Sequence, residues 1–163
     1  MPSESIAYLE SWKKILPASR ITFPHSFQDR LKYLFWRFYT PFHPFFRDAF
    51  LAFGILKHSG RQHFLLGTIA PHTSIRELGL YLLKRGYGNH FIAWNDDGEV
   101  VGLRLVKNFK YQYHLRIFED GEVRGHYEYT PEGHPFLHFK DVGMEERREE
   151  FLGLLDGWIA PVK

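Results

Sequence analysis

Two Asp-Gly turns, 23 residues apart, govern how the second half of this chain can fold. Asp96-Asp97-Gly98-Glu99-Val100-Val101-Gly102 is echoed by Glu119-Asp120-Gly121-Glu122-Val123-Arg124-Gly125. Each suits a hairpin with a three-residue loop whose glycine takes the left-handed conformation and forms a bulge. Turn chemistry alone selects Asp-Gly at such loops, so the echo need not record a duplication. It predicts two consecutive hairpins, with strands near 89–95, 99–106, 111–118 and 122–130, and hence an antiparallel meander.

A three-residue loop at 119–121 fixes the register of the second hairpin. Ile117 then faces Val123, Leu115 faces Gly125, Tyr113 faces Tyr127, and Tyr111 faces Tyr129. The other face pairs Arg116 with Arg124, His114 with His126, and Gln112 with Glu128. A two-residue loop would mix polar and apolar side chains on both faces.

The polar face is the candidate site. Two Arg and two His become cross-strand neighbours ~5 Å apart, where like charges repel. A bound anion would relieve that repulsion, and guanidinium groups match carboxylate and phosphate. Acidic residues from elsewhere in the chain, such as the 145–150 segment, would relieve it equally well. The candidate ligand-binding residues are Arg116, Arg124, His114, His126, Gln112 and Glu128. His114 and His126 are also the candidates for general acid–base work on a phosphodiester, since His titrates near neutrality. The tyrosine face is either core, with hydroxyls at its rim, or the lining of a pocket. The same loop rule sets His90 opposite Arg104 in the first hairpin, which would add polar points to a pocket containing Tyr113 and Tyr127.

Residues 1–60 are expected to form a helical front. A first helix carries Ile6, Leu9, Trp12 and Leu16, and Pro17 stops it. Ser26 caps a second, whose Phe27, Leu31, Leu34, Phe35 and Phe38 fall at the spacing of one buried stripe. Pro44 opens a third, expected to reach about His58. It is apolar nearly all round (Phe45, Phe46, Phe50, Leu51, Phe53), which implies burial within the domain or against a partner. Residues 61–69 read as a strand. Ser74-Ile75-Arg76-Glu77 is a capping box opening a helix with Ile75, Leu78, Leu82 and Leu83 inward. A last helix is expected over 144–159, its apolar side being Phe151, Leu154, Leu155 and Trp158.

The expected architecture is therefore α+β: aromatic-rich N-terminal helices over 1–60, then a β-α-β-β-β-β antiparallel meander and a C-terminal helix over 61–163. A chain of 163 residues can bury enough surface to fold without staples. With no Cys there are no disulfides, thiolate metal sites or Cys nucleophiles. His134-Pro135-Phe136-Leu137-His138 has an HxxxH spacing, so His134 and His138 are weak metal candidates. Pro135 and the nearby cations of Arg116 and Arg124 argue against that geometry. No G-x-S-x-G elbow and no phosphate loop occur, and no cofactor is implied.

A net charge of +2 is too balanced for coating nucleic acid, which is not the expected partner. The N-terminus lacks a secretory pattern, and the longest apolar run, Ala49 to Leu56, is too short to span a membrane. The expected location is cytoplasmic. Three functions fit. The first is a binding or interaction domain meeting an anionic small molecule or an acidic protein segment at the His/Arg face. The second is a metal-independent phosphodiester or phosphoryl-processing enzyme using the same residues. The third is a structural module that homodimerises through the Phe-rich helices.

Overall fold

A computed structural model of the chain describes residues 9, 11–12, 14–20, 24, 26–54, 64–89, 96–135 and 142–162. In chain order the elements are α1 (Phe27–Tyr39), a 3-10 turn (Thr40–Phe42), α2 (His43–Ala52), β1 (Phe64–Ile69) and α3 (Ile75–Lys84). There follow β2 (Gly88–Asn89), β3 (Glu99–Val106), β4 (Tyr111–Phe118), β5 (Glu122–Tyr129), α4 (Met144–Leu154) and β6 (Ile159–Pro161). The fold is α+β, with one six-stranded antiparallel sheet in the order β2-β3-β4-β5-β1-β6.

The second hairpin has the register derived from its turn: Tyr113 faces Tyr127, His114 faces His126, Leu115 faces Gly125 and Arg116 faces Arg124. Gly98 and Gly121 both take positive φ, at 75° and 85°. L-residues with a Cβ resist that conformation, which is why both turns carry glycine. The first hairpin departs from expectation. Arg104 pairs with Gly88, not with His90, so the pairing lies two residues from the predicted register. His90 itself lies outside the described residues, as do residues 55–63.

One sheet face and the helices α3 and α4 enclose the apolar core. Val101, Leu103, Leu115, Ile117 and Val123 pack there with Leu66, Leu78, Leu82, Met144, Phe151 and Leu155. Burying each such side chain contributes about 1.5–3 kcal/mol. Leu9, Trp12 and Leu16 join this core, so the chain's beginning packs against the sheet unit. Gly125 makes room for the layer above. A Cβ there would come within 2.8 Å of Leu66 Cδ1 and 3.0 Å of Met144 Cε. The capping box at Ser74 and Glu77 forms as read, with both reciprocal hydrogen bonds present.

Two expectations about helices are corrected. The last helix ends at Leu154 rather than near residue 159. Gly157 turns the chain at φ 75°, and Ile159–Pro161 add an edge strand to β1. The signal was present in Asp156-Gly157, a turn dipeptide.

The larger correction concerns α1 and α2. The stripe Phe27, Leu31, Leu34, Phe35 and Phe38 forms on α1, but it faces outward. The inward side carries one buried ring, Trp36, with Asp29, Lys32, Tyr33 and Tyr39 half-buried. Tyr33 meets Phe109 edge-on at 6.5 Å, tying α1 to the β3–β4 loop. On α2, Phe45, Phe46 and Phe50 are exposed, as is Phe53 just beyond. Helical spacing determines which residues share a side; it does not determine which side meets the sheet.

Candidate functional site

The polar face of the sheet is assembled by strict alternation on β3, β4 and β5. Its rows are Gly102, Arg116 and Arg124; Arg104, His114 and His126; and Val106, Gln112 and Glu128. Arg104 therefore stands beside His114, on the opposite face from Tyr113 and Tyr127. It cannot contribute to a pocket lined by those tyrosines. The connection at 107–110 sets the β3–β4 register, and no turn signature there announced it.

This face is buried. Arg104, His114, Arg116, Gln112, His126 and Glu128 are each at most 8% exposed. The cations do not lie idle on it. The Arg104 guanidinium forks onto Glu132, Nη2 to Oε1 at 2.8 Å and Nη1 to Oε2 at 3.1 Å. Its Nη1 also donates to Gln112 Oε1 at 2.9 Å, and its Nε to the Ser19 hydroxyl. Arg116 Nη1 lies 2.8 Å from Asp96 Oδ2 and 3.1 Å from Glu99 Oε2. Arg124 Nε donates to Glu122 Oε2 at 2.9 Å, at the margin of the face.

Glu128 is the hub of the histidines. Gln112 Nε2 donates to its Oε1 at 2.6 Å. His114 Nδ1 lies 3.3 Å from Oε1 and His126 Nδ1 3.1 Å from Oε2. Burial alone would raise the Glu128 carboxyl, but His114 and His126 hold it well below the usual range. Burial pushes the His114 imidazole down, against the pull of Glu128. Both directions fit one arrangement: an ionised carboxylate receiving an N–H from a neutral imidazole.

Among the described residues, Arg104 meets Glu132, Arg116 meets Asp96 and Glu99, and Glu128 meets the two histidines; all four carboxylates are buried. Two guanidinium groups are outnumbered by these four carboxylates, and burial keeps the His114 imidazole from making up the difference. An incoming phosphate or carboxylate would compete with carboxylates already in place, at the cost of a buried like charge. The residues missed in the sequence were the acidic ones: Asp96, Glu99 and Glu132, together with Ser19. Asp96 belongs to the first Asp-Gly turn, so the turn that sets the hairpin also supplies a counterion. Glu99 Oε1 packs over Gly102, where a Cβ would approach it to 2.6 Å.

The 145–150 segment, one possible source of counterions for this face, lies on the other one. Tyr113 donates its hydroxyl to Glu150, and Arg147 stacks 4.9 Å from the Tyr127 ring centre. Burial first, and then Glu150, raise the Tyr113 hydroxyl to about 12. Tyr113 packs edge-on to Phe151 at 5.0 Å, so the tyrosines are core and rim, closed over by α4. His134 stacks on Tyr129 at 4.2 Å. Its proposed partner, His138, lies outside the described residues.

The open surface lies elsewhere, on α1 and α2. Phe27, Phe38, Phe45 and Phe53 are 74%, 73%, 71% and 80% exposed. Leu31, Leu34, Phe35, Phe42, Phe46 and Phe50 extend the same surface. Ring contacts knit parts of it together: Phe35 stacks on Tyr39 and Tyr39 on Phe46, while Phe38 meets Phe42 at 5.7 Å. With ~200 Å² per aromatic side chain, the exposed apolar area is roughly 1,000 Å². The largest patch on an ordinary monomer is about 300–600 Å².

Comparison with known proteins finds no matching family model, no matching curated protein and no matching solved structure. Among the described residues no helix is long and apolar enough to cross a membrane.

Proposed function

We propose that this chain is a binding or interaction domain whose contact surface is the aromatic helical pair α1–α2. One observation carries this reading: a helix whose apolar stripe points away from the domain it belongs to. Exposing Phe27, Phe38, Phe45 and Phe53 forgoes several kcal/mol of burial, which a contact surface would recover on binding. The proposal of an anionic ligand at Arg116, Arg124, His114 and His126 draws less support. Their cations already face carboxylates, and the face is enclosed. The same enclosure weighs against phosphodiester chemistry at His114 and His126. On this reading the polar face is a scaffold that holds β3, β4 and β5 in register.

The test separates a contact surface from hidden core. Phe27→Ser with Phe38→Ser should change unfolding free energy by no more than about 0.5 kcal/mol per site, as at ordinary surface positions. The same pair should sharply reduce binding of an apolar fluorescent dye. A loss of about 2 kcal/mol or more per site would mean that the rings are part of the folded core, and the reading would fail.

A further inference from the structure

Resting on that reading, the occupant of the aromatic face can be named from the charges along its edge. On α1 the apolar stripe is bordered on one side by Arg30 and Arg37, seven residues apart and hence on the same edge. Both are exposed. Among the described residues neither pairs with a carboxylate. The carboxylates of the helical pair are taken, since Asp29 lies 3.8 Å from Lys32 Nζ and Asp48 is itself engaged. Residues 1–60 as a whole hold 8 Lys+Arg against 4 Asp+Glu.

We propose that α1–α2 lies on an anionic lipid surface, with the Phe and Leu side chains in the acyl boundary and Arg30 and Arg37 at the headgroups. A Phe- and Leu-rich stripe edged by cations is the pattern of a helix lying in the membrane plane. The long arginine stems let the charge reach the headgroups while the helix sinks. A second copy of the chain fits less well. Pairing stripe to stripe would bring the Arg30 and Arg37 edges to a surface that, among the described residues, offers only carboxylates already engaged.

The experiment is vesicle flotation of the full chain, with pure phosphatidylcholine and with phosphatidylcholine containing phosphatidylserine, at low and high salt. Sedimentation equilibrium runs alongside. Binding should require phosphatidylserine and weaken with salt. Arg30→Glu with Arg37→Glu should weaken it by at least about twenty-fivefold, counting roughly fivefold per cation near an anionic surface. Phe27→Ser with Phe38→Ser should abolish it while leaving the thermal unfolding midpoint in place. If neither vesicle is bound and the chain self-associates through Phe27 and Phe38, the lipid proposal is overturned and the interaction domain stands. If there is neither vesicle binding nor self-association and the Phe variants unfold early, both are overturned. Binding that ignores phosphatidylserine and survives the Arg30 and Arg37 changes would overturn the assigned role of charge, and with it the proposal.

Discussion

Replacing Glu132 by Gln should strand a buried guanidinium. Arg104 is 2% exposed, and its side chain is held by two bonds to Glu132, one to Gln112 and one to Ser19. Gln keeps the shape of Glu132 but supplies one acceptor and no charge. Removing one partner of a buried pair leaves an uncompensated charge, which costs about 3–5 kcal/mol. For a chain of 163 residues that is a fall of roughly 6–20 °C in the unfolding midpoint. Urea unfolding followed by tryptophan fluorescence measures it, urea being preferred because guanidinium salts would screen the charge. The companion variant Arg104→Met with Glu132→Leu removes both charges. It should recover most of the loss, because apolar replacement of a whole buried pair is often neutral. A cost below about 1 kcal/mol for Glu132→Gln would refute the dependence of Arg104 on Glu132. A double variant as unstable as the single one would show that packing, not charge, was lost.

Acid should weaken the fold in two stages. His114 is depressed in the folded state, so its contribution is present above about 6.5 and is lost as pH falls below that value. Glu128 is likewise depressed, so its contribution persists down to about 4.5 and is lost as pH falls through its lower folded value. His114→Asn should flatten the urea midpoint between pH 7 and 5, while Glu128→Gln should flatten it at lower pH; an unchanged profile in both would contradict the hub geometry. Gly79→Ala should destabilise by about 1–3 kcal/mol despite a helix-propensity gain near 1 kcal/mol. A Cβ there would lie 2.2 Å from Trp12 Cη2, so its fluorescence should shift, and a more stable variant would mean that Trp12 yields readily.

What each level of structure decided can be traced through particular residues. The pairing of Tyr113 with Tyr127 and of Arg116 with Arg124 was legible because a short loop and a period of two leave only one register with unmixed faces. The Ser74 cap was legible because its partner sits three residues away. The counterions of Arg104 and Arg116 were not legible. Glu132 lies 28 residues from Arg104 and Asp96 lies 20 from Arg116, so only the folded sheet brings them within hydrogen-bond distance. The register of the first hairpin was not legible, because a shift of two residues preserves alternation and leaves no mark on the pattern.

By itself, then, the amino-acid sequence determined the α+β class, the second hairpin and the membership of its two faces, all of which depend on neighbours within a turn or a short loop. The tertiary structure alone decided which faces are covered. It enclosed the His/Arg face, for which the pattern admitted either an anion or internal pairing, by bringing distant carboxylates onto it. It turned the aromatic stripe of α1, which looked like core, toward the outside. Periodicity records that two sides of an element differ; only packing assigns one of them to the interior.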